Sequence, residues 1–266
     1  MTTPTLRLKI EGPPNRISAV ALARVLTNSL SMLDSIGRAI ASHSSRSKAP
    51  IAWYVTKLES ASAIAVLIGE TITDSLDPDL ISRVGNSYVN GIRDVENANA
   101  LPRYMSDSAL DRLNEIATPL GKSSAEYFEV AWVNGTNNEA RMTTLSKDNL
   151  KDLRKSRITS IGSVTGVLDA LSLRHGNNKF QVYDDVSARP VTVDFPQSDL
   201  ERVKEALGAR VVVSGTLERN VKGQPMCVVD PTLSILPEGR PLTSIIGVAP
   251  DFLGDNTMQF YMENIC

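Results

Sequence analysis

From Arg157 to Leu236 the chain alternates apolar and polar residues in five runs, interrupted once by a helical segment, and few folds accept that order. Ile158, Ile161, Val164, Val167, Leu171 and Leu173 form a long first strand, bent at Gly162 and Gly166, where a missing Cβ lets a curled strand turn a corner. Arg174-His175-Gly176-Asn177-Asn178 reads as a hairpin loop, and Phe180 and Val182 mark a second strand. Asp184-Asp185-Val186-Ser187-Ala188 turns the chain into a third strand with Val191, Val193 and Phe195. Ser198-Asp199-Leu200-Glu201 has the spacing of a capping box, and Leu200, Val203 and Leu207 share one face of the helix it would open, ended by Gly208. Val211, Val213 and Leu217 predict a fourth strand, Asn220-Val221-Lys222-Gly223 a turn, and Met226, Val228, Leu233 and Ile235 a fifth.

Three strands, a helix and two strands resemble the oligonucleotide/oligosaccharide-binding (OB) fold, a small closed barrel. That resemblance implies a surface on the second and third strands where single-stranded nucleic acid stacks on aromatic rings beside a basic groove. The residues offered to it are Arg174, Lys179, Phe180, Tyr183 and Arg189, with Lys151, Arg154, Lys155 and Arg157 just before the barrel. Charge argues the other way: from Ile158 to Leu236, eight basic residues face nine acidic ones, whereas phosphate neutralisation dominates affinity for nucleic acid. Alternation also puts Phe180 and Tyr183 on opposite faces, so at most one can serve as a platform.

The first 146 residues read as strand, helix, two strands, two helices and two strands, an α+β unit with helices over one face of a sheet. Leu6, Leu8 and Ile10 alternate in the first strand; a helix from about Ile17 to His43 carries Leu22, Leu26, Leu30, Leu33, Ile36 and Ile40. Ile51 to Leu58 and Ala63 to Ile68 are strands, and Asp77-Pro78 starts a helix bearing Leu80, Ile81, Val84, Tyr88, Ile92 and Val95. A further helix follows Ser106, and Asn134-Gly135-Thr136-Asn137-Asn138 predicts a hairpin between Tyr127–Val133 and Arg141–Leu145. The expected division is an α+β domain over 1–146, a linker or short helix over 147–156, an OB-like barrel over 157–236 and a packing segment over 237–266. In that last segment Ile245, Ile246, Phe252, Phe260 and Tyr261 are candidate partner-binding residues, because the stretch is too apolar for a free tail.

With 266 residues, 42% hydrophobic and 22% charged, the chain can bury two cores, and its formal charge of −2 supplies no global attraction to a polyanion. The longest apolar run, Ala61 to Gly69, is too short to span a bilayer, and Met1-Thr2-Thr3-Pro4 lacks the basic start of a secretion signal. Two cysteines, Cys227 and Cys266, give no disulfide framework, so a cytoplasmic setting is expected.

Gly121-Lys122-Ser123 lacks the upstream glycine of a phosphate loop, with Ile116 in its place. His43 and His175 have no other ligands at metal spacing, and no nucleophile elbow anchors a Ser-His-Asp arrangement. No cofactor or metal is expected. Asp184 and Asp185 are the most conspicuous carboxylates and read as turn caps. The expected role is non-catalytic binding through protein-protein interaction or homo-oligomerisation. Nucleic-acid binding by the barrel is the first alternative, and an enzyme with an inter-domain site around Asp184 and Asp185 the second.

Overall fold

The computed structural model describes residues 4–13, 17–41, 50–59, 63–72, 77, 79–121, 125–134, 136–174 and 177–237. The chain is α+β, with strands in two five-stranded sheets, four helices with the first and one short helix with the second among the described residues. The order is β1 (Thr5–Glu11), α1 (Ala19–Ala41), β2 (Ile51–Glu59), β3 (Ile64–Thr71), α2 (Leu80–Glu96), α3 (Asp107–Ala117), β4 (Tyr127–Asn134), β5 (Thr136–Met142) and α4 (Leu145–Leu153). The second sheet follows with β6 (Ser156–Arg174), β7 (Asn177–Asp184), β8 (Arg189–Asp194), α5 (Leu200–Glu205), β9 (Arg210–Asn220) and β10 (Pro225–Ile235).

The first sheet is antiparallel, ordered β2-β3-β1-β4-β5, so the amino-terminal strand lies at its centre. Alternation sends Leu6, Leu8 and Ile10 of β1, Leu67 of β3 and Phe128, Val130 and Trp132 of β4 into the core beneath the helices. The expected α1 stripe is rotated towards the amino end. Val25, Asn28, Ser29 and Met32 are buried, while Leu22, Leu26 and Leu30 are only half-buried, because α1 packs against α2 and α3 at once and needs a wide face. Inside that layer the Tyr88 hydroxyl donates to Ser29 Oγ at 2.7 Å. Gly85 of α2 lies directly over Trp132, and a Cβ there would stand 2.3 Å from the indole, so the contact requires glycine.

Three local expectations are corrected. α2 runs from Leu80 with Asp79 at its cap position, two residues later than the Asp77 cap expected, although the Asp77 carboxylate does accept from the Asp79 amide at 2.9 Å and pairs with Arg83; Pro78 lies outside the described residues. The hairpin between β4 and β5 is tighter than the five residues expected, since Asn134 pairs with Thr136 and Asn138 already lies in β5. Its polar sequence hid the strand. Asn138 donates to Asn86 Oδ1 at 2.8 Å and accepts from Arg93, so α2 satisfies its amide. At the helix of the second sheet, Ser198 makes no capping bond: a 3-10 turn over Gln197–Asp199 precedes α5, and Leu207 is exposed while Ala206 takes the buried place.

The second sheet closes on itself in the order β6-β7-β8-β10-β9, with β9 returning to β6. Among its described strands β8 and β10 alone run parallel, and α5 lies in the connection from the third to the fourth strand, which is the expected OB-like arrangement. Val164, Leu168, Phe180, Val182, Val191 and Val193 fill its interior with Val211, Val213, Leu217 and Val228. Phe180 and Phe195 meet there with ring centroids 5.5 Å apart. Gly166 sits at a crowded crossing, where a Cβ would fall 1.9 Å from the Tyr183 carbonyl oxygen. Gly208 holds φ +82° after the helix, as its place at the end of α5 requires.

Candidate functional site

Of the residues offered to nucleic acid, Phe180 is buried inside the barrel at 1% exposure, so it presents no stacking face. Arg189 is also buried, at 2%, and its Nη1 donates to the carbonyls of Pro102 at 3.0 Å and Met105 at 2.7 Å, with Asp107 at 3.6 Å from Nη2. Burial lowers its pKa to about 10, with the nearby Asp107 working in the opposite direction. It is a structural bolt between the barrel and the 101–107 segment, not a groove residue.

Lys179 is committed to Asp194 at 2.9 Å, Arg154 to Asp111 at 2.6 Å and Lys155 to Asp152 at 2.6 Å. Lys151 is exposed on α4. The side chains of Arg157 and Arg174 lie outside the described residues, as do His43, His175 and all of Ile245, Ile246, Phe252, Phe260 and Tyr261. The expected basic patch is therefore largely neutralised by carboxylates where it is described. Asp184 accepts from the Ser187 amide at 2.8 Å and the Ser187 hydroxyl at 2.6 Å, and Asp185 pairs with Arg210 at 2.6 Å, so both carboxylates have partners at the turn.

The turn between β9 and β10 is used against the first sheet's half. Gln224 accepts from the Leu101 amide at 2.8 Å and donates to the Leu101 carbonyl at 3.0 Å, and Asn220 donates to the Leu153 carbonyl at 3.0 Å. Tyr104 donates its amide to the Ala188 carbonyl at 2.9 Å. These contacts leave a cleft of about 190 Å³ lined by Ile40, Arg103, Tyr104, Val167, Asp169 and Tyr183, among others. An open depression continues outward past Ser82, Arg83, Asn86 and Ser87.

Two features bring chemistry to this cleft. A β-bulge in β6 between Leu168 and Ala170 re-aims Asp169, whose carboxyl is pushed above its ordinary value by burial, its own amide opposing the shift. The Tyr183 hydroxyl is shut from solvent without a hydrogen-bond partner among the described residues, and burial raises its pKa, so the phenol stays protonated. Arg103 and Tyr104 gave no periodic or motif signal in sequence. Asp169 was visible there only as a carboxylate interrupting Val167-Leu168 and Ala170-Leu171.

The second candidate surface is the outer edge of the first sheet. Among the described residues β2 has a single strand neighbour, and Tyr54, Val55 and Leu58 are 50%, 43% and 62% exposed along it. A bulge at Thr56 separates an uncharged half, Ile51 to Val55, from a half carrying the Lys57–Glu59 ion pair. Among the described residues, no group of three or more His, Cys, Asp or Glu is placed to hold a metal, and no helix is long and apolar enough to cross a membrane. No family model matches the chain, and no curated protein matches it.

Proposed function

We propose that this chain is a non-catalytic binding protein that works by protein-protein contact, through the edge strand β2. The supporting observation is the exposure of Tyr54, Val55 and Leu58 on a strand that lies at the sheet edge among the described residues. An edge of this kind templates an added strand: main-chain hydrogen bonds supply affinity, and alternate side chains supply specificity. The partner fitted to it is an extended polypeptide segment with apolar residues at alternate positions, uncharged opposite Ile51 to Val55 and offering a charge pair opposite Lys57 and Glu59.

The competing nucleic-acid reading loses support because Phe180 and Arg189 are buried and Lys179, Arg154 and Lys155 are ion-paired. The test is capture from nuclease-treated lysate of the native host, with wild type beside the Tyr54→Lys, Leu58→Lys double variant. Wild type should retain a partner in fixed stoichiometry, and the variant should lose it while keeping its melting temperature. Equal capture by both, or recovery of nucleic acid in place of protein, contradicts the proposal.

A further inference from the structure

The cleft between barrel and helices contains a cation and an anion without a charged partner among the described residues. Three of its other charges are engaged: Arg83 with Asp77 at 3.0 Å, Asp185 with Arg210 at 2.6 Å and Asp184 with Ser187. Arg103 has no carboxylate partner among the described residues and lies only against the Tyr104 ring, 5.7 Å from its centroid. Asp169 has no cationic partner among them either. Although Arg103 and Asp169 line the same small void, they form no ion pair with each other, so opposite charges face one space without a charged partner among the described residues.

Tyr104 and Tyr183 line the same cleft, together with the apolar Ile40 and Val167. Two residues at the rim, Tyr104 at φ 60° and Ala188 at φ 51°, hold left-handed backbone. Such conformations persist only where surrounding structure enforces them, and they cluster at ligand clamps. The Asp169 bulge is a third departure from regular backbone at the same place.

We infer that this cleft binds a small zwitterion of the amino-acid class, its carboxylate on Arg103, its ammonium on Asp169 and its side chain directed towards Tyr104 and the outer depression. A planar guanidinium recognises a carboxylate by paired hydrogen bonds, and a carboxylate is the matching acceptor for an ammonium. A plain anion would leave Asp169 unpaired beside it, and a plain cation would do the same to Arg103. The volume of about 190 Å³ admits a compact molecule and excludes a nucleotide held wholly inside.

The test is isothermal titration of the full chain with the common amino acids, each beside its N-acetyl and methyl-ester derivatives. At least one free amino acid should bind with Kd below about 1 mM, and blocking either charged group should weaken it by roughly tenfold or more. Arg103→Gln and Asp169→Asn should each cause a comparable loss without lowering the melting temperature, since neither side chain has a charged partner to lose among the described residues. The inference is overturned if no free amino acid binds natively melting protein. It is equally overturned if the N-acetyl or ester derivative binds as well as the parent, an outcome read on wild type alone.

Discussion

The Tyr104 amide donates to the Ala188 carbonyl oxygen across 2.9 Å, and both residues hold positive φ. The bond joins the segment before α3 to the β7–β8 turn, and an L-residue held in that conformation costs about 1–2 kcal/mol. The Ala188→Gly variant should therefore be neutral or stabilising, because glycine adopts positive φ without strain. Ala109→Gly, inside α3, should instead lose about 1 kcal/mol. Urea unfolding of the two variants checks the contrast; an equal loss in both would show that Ala188 is unstrained.

Arg189 secures the same joint with two hydrogen bonds to backbone carbonyls. Removing it leaves the Pro102 and Met105 carbonyls without that donor, at about 1–3 kcal/mol for a buried group left unsatisfied. Arg189→Met should lower unfolding stability by that order, and Arg189→Lys should recover only part, since an ammonium lacks the guanidinium fork. Denaturant midpoints at neutral pH measure both variants.

The Tyr88 hydroxyl and Ser29 Oγ form a closed polar pair in the helix layer, both residues fully buried. Ser29→Ala should cost about 1–3 kcal/mol by orphaning the phenol. Adding Tyr88→Phe should cost little more or restore stability, because both polar groups are then gone. A double-mutant cycle by calorimetry gives the coupling, and additive losses would argue against the pair.

Much of the fold was legible because period alone specifies it. Leu6-Arg7-Leu8-Lys9-Ile10 can present one apolar face only as a strand, and the runs from Ile158 to Ile235 set five strands with one helix between the third and fourth. Ser198 to Glu201 misled, since capping-box spacing is satisfied by sequence while the chain entered α5 through a 3-10 turn. The sites were less legible. Arg189 sits in a strand beside an acidic turn and resembles any surface arginine until Pro102 and Met105, distant in sequence, fold against it. Asp169 owes its direction to a bulge, which alternation cannot register.

Asp169 also sets a pH dependence. Burial raises its folded pKa above the ordinary 3.8, so between those values the native state holds more proton than the unfolded state. Stability then falls as pH rises through that window and stays lower above it. Asp169→Asn should melt at or above wild type at pH 7, with the difference shrinking below pH 4. Thermal scans from pH 3 to pH 8 test this, and a variant less stable than wild type at pH 7 would reverse the sign.

Hydrogen-deuterium exchange of the purified chain, with and without its captured polypeptide partner, tests the edge-strand proposal most directly. We expect the amides of Ile51–Glu59 to gain protection on binding while those of β6, β7 and β8 are unchanged. Protection confined to the barrel strands, with β2 exchanging as in the free protein, would contradict it.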